Sequence, residues 1–93
     1  MRANPRWDAG FVPRYLVEAY VPDSPAAQTD VREQAERAAL LGRGVRHVRT
    51  TFLPADEVAL HLFEAPSVAA LTRAGRLAAL HYERIVEAKE DER

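Results

Sequence analysis

Glu57-Val58-Ala59-Leu60-His61-Leu62-Phe63-Glu64-Ala65-Pro66 is the stretch whose reading decides the fold. Branched, aliphatic and aromatic residues fill it, which predicts a strand. Pro66 stops the strand because it cannot donate to a ladder, and Ser67 offers the hydroxyl that caps a following helix. His61 stands in the middle, with Ala59 and Phe63 as its neighbours of the same parity. A polar ring in an apolar central strand marks the place to look for chemistry.

Working outward, Val45 to Leu53 predicts a second strand, and Pro54-Ala55-Asp56 is a hairpin-length link, so the two strands are expected to be antiparallel neighbours. After Ser67, a helix is expected to about Ala79, with Val68, Leu71, Ala74 or Gly75, and Ala78 inward and Arg73 and Arg76 in water. Tyr82 to Ala88 is the last expected strand, with His81 just before it at an edge or in solvent. Towards the N-terminus, Arg14 to Val21 is dense in β-formers and is closed by Pro22-Asp23-Ser24-Pro25. Ala26 to Leu41 then predicts a helix, capped by Asp23, Ser24 or Thr29, with Val31, Ala35, Ala38, Ala39 and Leu41 near one stripe. Gly42 and Gly44 are expected to end it as left-handed cap residues.

The order is β-α-β-β-α-β. Two crossovers and one hairpin predict an α+β, ferredoxin-like βαββαβ domain: a four-stranded antiparallel sheet, helices on one face, first and third strands central. It spans residues 14–88. Residues 1–13 form an N-terminal arm, where Trp7 and Phe11 are the side chains available to pin it, and residues 89–93 form a charged tail.

The whole chain has 93 residues, 47% of them apolar and 29% charged, with a net charge of −1 and no cysteine. That is the composition of one small globular domain. The charge balance leaves no basic excess for nucleic acid. The missing cysteine excludes thiolate metal ligands and thiol nucleophiles. No apolar run reaches the length of a membrane span, and the N-terminal residues lack the apolar core of a signal peptide, so a cytoplasmic protein with no membrane partner is expected.

With both helices on one face, the other face of the sheet must meet water, a ligand or a second sheet. Alternation along the strands gathers Leu16, Glu18, Tyr20, His47, Arg49, Thr51, His61, Phe63, Ile85 and Glu87 into one mixed set, expected on that open face. The set is too apolar for open water and too charged for a plain core. A homodimer through the open face, forming an α+β barrel around a cavity, is the expected arrangement.

Three readings of the polar members stand side by side. His61, His47 and Glu18, with Glu87, are ligands of nickel or another divalent transition metal. Alternatively, His61 is a general acid/base tuned by Glu18 or Glu87, with Arg49 holding an organic anion beside Leu16, Phe63 and Ile85, as in barrel isomerases, cyclases and monooxygenases. In the third, the groups satisfy one another across an interface. Glu18, Tyr20, Arg49, Phe63 and Glu87 are the expected ligand pocket in the first two, and no catalytic residue is assigned.

Tyr15-Leu16-Val17-Glu18, Val45 to Phe52, Leu62-Phe63-Glu64-Ala65-Pro66-Ser67, Arg73-Ala74-Gly75 and Glu83-Arg84-Ile85-Val86-Glu87, in that order, resemble a bacterial family of small proteins. Its described members are nickel-binding, ferredoxin-like and dimeric. The resemblance covers Arg14 to Ala88, and "E-A-P-S" and "R-I-V-E" are its most specific pieces. It implies a small ligand-binding protein with nickel as the candidate cofactor. Arg49 stands where the family typically has histidine, His61 where it often has cysteine, and Leu77-Ala78-Ala79-Leu80-His81-Tyr82 departs from the family's shorter, proline-containing link. Arginine stays protonated and is a poor ligand, so the resemblance leaves His61 and His47 as the compensating imidazoles and Glu18 and Glu87 as pocket residues.

Overall fold

The computed structural model describes residues 12–89. The expected tail beyond Lys89 and the arm with Trp7 and Phe11 lie outside the described residues. The elements are β1 (Arg14–Tyr20), α1 (Pro25–Leu41), β2 (Arg46–Leu53), β3 (Val58–Glu64), α2 (Val68–Leu77) and β4 (Arg84–Ala88). The sheet is antiparallel in the order β2-β3-β1-β4, which puts β1 and β3 at the centre as expected for the ferredoxin-like α+β fold. Among the described residues no helix is long and apolar enough to cross a membrane.

Local chemistry sets the boundaries. Ser24 and Ser67 sit in extended conformation and accept from the amides of Ala27 and Ala70, at 3.2 and 3.1 Å. Each hydroxyl satisfies a donor that the first helical turn leaves unpaired. Pro54–Asp56 forms a single 3₁₀ turn, after which Glu57 adopts φ 54° and reverses the chain into β3. The Glu57 carbonyl accepts from the Val21 amide at 2.9 Å, which ties the turn to the end of β1.

The core lies between the sheet and the helices. Val17, Tyr15 and Phe63 from the sheet meet Ala35 and Ala38 of α1 and Leu71 and Ala74 of α2. A second cluster joins Val21, Val31 and Ala59. The helical contribution is mostly alanine, so helix backbones lie close to the sheet and the large side chains come from the strands.

Gly42, expected as a left-handed cap, is instead extended at φ −86°, and the left-handed residue is Gly44 at φ 73°. Gly42 is needed for space: a Cβ there would sit 2.5 Å from the Ala74 Cβ of α2. Beyond α2, Ala79 holds φ 56°, a region that costs a residue with a Cβ about 1 kcal/mol. Ala79→Gly removes that cost and loosens the unfolded chain, which partly offsets the gain. A net stabilisation of about 0.5 kcal/mol is expected, read as a rise in the midpoint of urea unfolding at unchanged slope.

Candidate functional site

Sheet register decides which residues share a face, since Cα partners in a ladder point the same way. Under the helices run the rows His47–Phe63–Tyr15–Glu87 and Thr50–His61–Val17–Ile85. On the open face run Arg46–Glu64–Arg14–Ala88, then Arg49–Leu62–Leu16–Val86, then Thr51–Leu60–Glu18–Arg84.

The single mixed set expected on the open face is therefore divided. Leu16, Glu18, Tyr20, Arg49 and Thr51 lie on the open face as expected. His47, His61, Phe63, Ile85 and Glu87 lie on the helix side, which corrects their assignment. Two physical causes produce the split. On β3 both parities are apolar, so alternation carries no sign, and the small helical alanines leave room for Phe63 and His61 beneath them. On β2 the register slips between His47 and Arg49, a β-bulge that sends two residues against one and turns His47 to the opposite face from Arg49.

The two histidines meet under the helices through a residue that alternation alone did not single out. Thr50 Oγ1 lies 2.8 Å from His47 Nε2 and 2.7 Å from His61 Nδ1. Its one proton goes to one ring, and its lone pairs accept from the other, so the chain is complete in either direction. The rings are edge-on at 6.0 Å, and Phe63 packs 5.3 Å from His47. His61 is fully buried, and its Nε2 has no partner among the described residues. Burial, and then the neighbouring His47, push the His61 imidazole down to about 4. Burial also lowers His47, and the Glu36 carboxylate on α1 works against that shift. His61 is thus a neutral imidazole that stitches β3 to β2 across the bulge. A signal for the bridge was present in sequence: Thr50 follows His47 by three positions, which only a bulge brings onto one face.

The expected metal set of His61, His47 and Glu18 is not assembled. Glu18 is across the sheet from both imidazoles and is engaged bidentately by Arg84, at 3.1 Å to each carboxylate oxygen. The near ring nitrogens of both histidines are taken by Thr50. Among the described residues no group of three or more histidine, aspartate or glutamate side chains is placed to hold an ion.

The open face carries a groove of about 300 Å³. Its floor is Leu16, Leu60 and Leu62; Arg49 and Thr51 flank it on the β2 side, and Ala88 and Lys89 on the β4 side. Ion pairs wall it along the strand direction. At one end Glu64 is held by Arg46 at 2.9 Å and by Arg14 at 2.9 Å, which keeps its carboxyl below the usual range, Arg46 contributing most. At the other end stands the Glu18–Arg84 pair, and beyond it the Tyr20 hydroxyl donates to Glu57 at 3.1 Å. Arg49 differs from its neighbours: among the described residues no carboxylate or hydrogen-bond acceptor engages its side chain. Sequence reading named Arg49 but missed Leu60, Leu62 and Lys89, because leucines in a strand read as core whichever way they face.

The fold and the groove define a ferredoxin-like domain whose open sheet face presents an unpaired cation beside an apolar floor. No protein-family model and no curated protein matches the chain. Among solved structures it is similar to SCO4226 from Streptomyces coelicolor A3(2), known from a crystal structure, with a TM-score of 0.69 and 15% sequence identity over 85% of this chain and 99% of that one. At that identity the likeness shows the fold alone.

Proposed function

We propose that this protein is a small-molecule binding protein whose site is the open sheet face and whose ligand is an organic anion. The single observation that carries the reading is Arg49. The other arginines on the open face are paired with Glu64 or Glu18, whereas Arg49 stands with Leu16, Leu60 and Leu62 beside it and no counter-ion among the described residues. A guanidinium next to a desolvated floor attracts a carboxylate more strongly than one in open water, and its fork engages both carboxylate oxygens. Thr51 adds a hydroxyl and Lys89 a second positive charge. The groove volume is at the small end of the range for small-molecule sites. A homodimer through this face would roof the groove with a second copy and strengthen the ion pair by excluding water.

Calorimetric titration with short organic acids, and separately with nickel and zinc, tests the reading. Wild type is expected to bind organic acids, and Arg49→Ala to bind them about tenfold more weakly, the loss of one charge-assisted contact. Nickel, the metal that the sequence resemblance implies, is the competing arm. Uptake of nickel with indifference to organic acids would replace this reading.

A further inference from the structure

We infer that the ligand is an amphipathic monocarboxylate, its head at Arg49 and its tail lying across the strands over Leu62, Leu16 and Val86. The inference rests on the organic-anion reading and adds the substrate class.

The geometry behind it is one row of the sheet. Arg49, Leu62, Leu16 and Val86 are successive Cα partners across β2, β3, β1 and β4. A cation stands at one edge, and three aliphatic side chains follow in line. Neighbouring strands are about 4.8 Å apart, so the apolar part of the row, from Leu62 to Val86, runs about 10 Å. The flanking rows are polar for most of their width. Arg46, Glu64 and Arg14 close one side with a shared carboxylate, and Glu18 and Arg84 stand on the other. Arg46 and Arg14 share the Glu64 carboxylate and Arg84 holds Glu18, so a tail that turned along β1 on either side of Leu16 would meet charged side chains. Past Leu62, a tail therefore has one uncharged direction to follow, perpendicular to the strands. Arg49 supplies a cation with no counter-ion among the described residues where the track begins, and the track ends on Val86 and Ala88 with Lys89 exposed beyond the strand. A dianion spanning the track would carry its second charge past the aliphatic row, where Lys89 is the cation on the β4 side, so dicarboxylates are the competing class. A plain inorganic anion would leave the leucines with no occupant.

The test is a calorimetric series of linear monocarboxylates from acetate to decanoate, with the α,ω-dicarboxylates and primary alkylamines of matching length as controls. Affinity is expected to rise about twofold per methylene, half the value for full burial because one side of the tail faces water, and to level off once the chain passes Val86. Leu16→Ser and Val86→Ser are expected to weaken octanoate at least threefold and by a larger factor than they weaken acetate, with thermal unfolding confirming that each variant folds. Arg49→Lys is expected to retain part of the octanoate affinity that Arg49→Ala loses. Equal affinity for acetate and octanoate, or tighter binding of dicarboxylates, overturns the amphipathic ligand and leaves the organic-anion reading standing. Binding of amines in place of acids overturns both. So does a sedimentation result in which the chain dimerises through this face, insensitive to Arg49→Ala, and takes up no acid of any length.

Discussion

Lowering the pH from 7 to 5 is expected to cost the fold about 2 kcal/mol through His61 alone. The folded-state imidazole is pushed to about 4 by burial and by His47, against 6.5 for the free side chain. The unfolded chain therefore takes up a proton first. Stability is at its full value above pH 6.5, falls as the pH drops below it, and stops falling through this group below about pH 4, where the folded protein is protonated too. Between those limits the slope approaches one proton, about 1.4 kcal/mol per pH unit. His47 shifts in the same direction and adds to the loss. Glu64 is also shifted down, its carboxyl held low by Arg46 and Arg14, but it starts from the carboxylate range, so most of its contribution is lost at more acid pH than the test uses. Urea unfolding at pH 7, 6 and 5 reads the slope. His61→Leu is expected to flatten it, since leucine fills similar volume, removes the unpartnered Nε2 and leaves Thr50 bonded to His47. A wild type as stable at pH 5 as at pH 7 would show that the imidazole is hydrated or charged in the folded state, against its full burial.

Gly42→Ala is expected to destabilise the protein by about 2 kcal/mol, although the site is neither left-handed nor exposed to a ligand. Gly42 follows α1, and its amide donates to Ala38 at 2.8 Å. An added Cβ would lie 2.5 Å from the Ala74 Cβ and 2.8 Å from Val45 Cγ2. Both neighbours are buried, and Ala74 is part of the core of α2, so neither withdraws without opening the helix–helix contact. Alanine also lowers the entropy of the unfolded chain, and that favourable term of under about 1 kcal/mol is already subtracted. A double-mutant cycle identifies the cause: with Ala74→Gly in place, the cost of Gly42→Ala is expected to fall, because the nearest of the atoms it strikes is gone while the Val45 contact remains. Equal cost in both backgrounds would locate the penalty elsewhere. Gly44→Ala is the contrasting case, since its cost comes from φ 73° and no change at Ala74 relieves it.

The candidate site was half legible before any coordinates. Arg49 could be named because a charged residue inside a run of β-formers stands out, and it does face the open side of the sheet. Glu18 and Tyr20 were placed on the same side correctly, but their polar atoms are taken up by Arg84 and Glu57. His61 drew attention for the right reason and suggested the wrong surroundings. Histidine among apolar neighbours reads equally as a ligand or as a buried cross-link, and the register with Val17 and the hydrogen bond to Thr50 show the cross-link.

What the sequence by itself determined is the order and type of the elements. Proline at positions 22, 25, 54 and 66 and the serine caps at 24 and 67 act within a few residues of where they stand, so their effect is readable locally. Those short-range stops, with the two crossovers and one hairpin that they enforce, leave one topology. Tertiary structure alone decided which way each strand faces. On β3 both faces are apolar, and the choice depended on the thin alanine layer that α1 and α2 lay over it. On β2 the choice depended on a single extra residue at the bulge, which reverses every side chain beyond it. Facing is a property of partners far apart in the chain, and it separates the histidines from Arg49 and leaves the open face to an arginine and a row of aliphatic side chains.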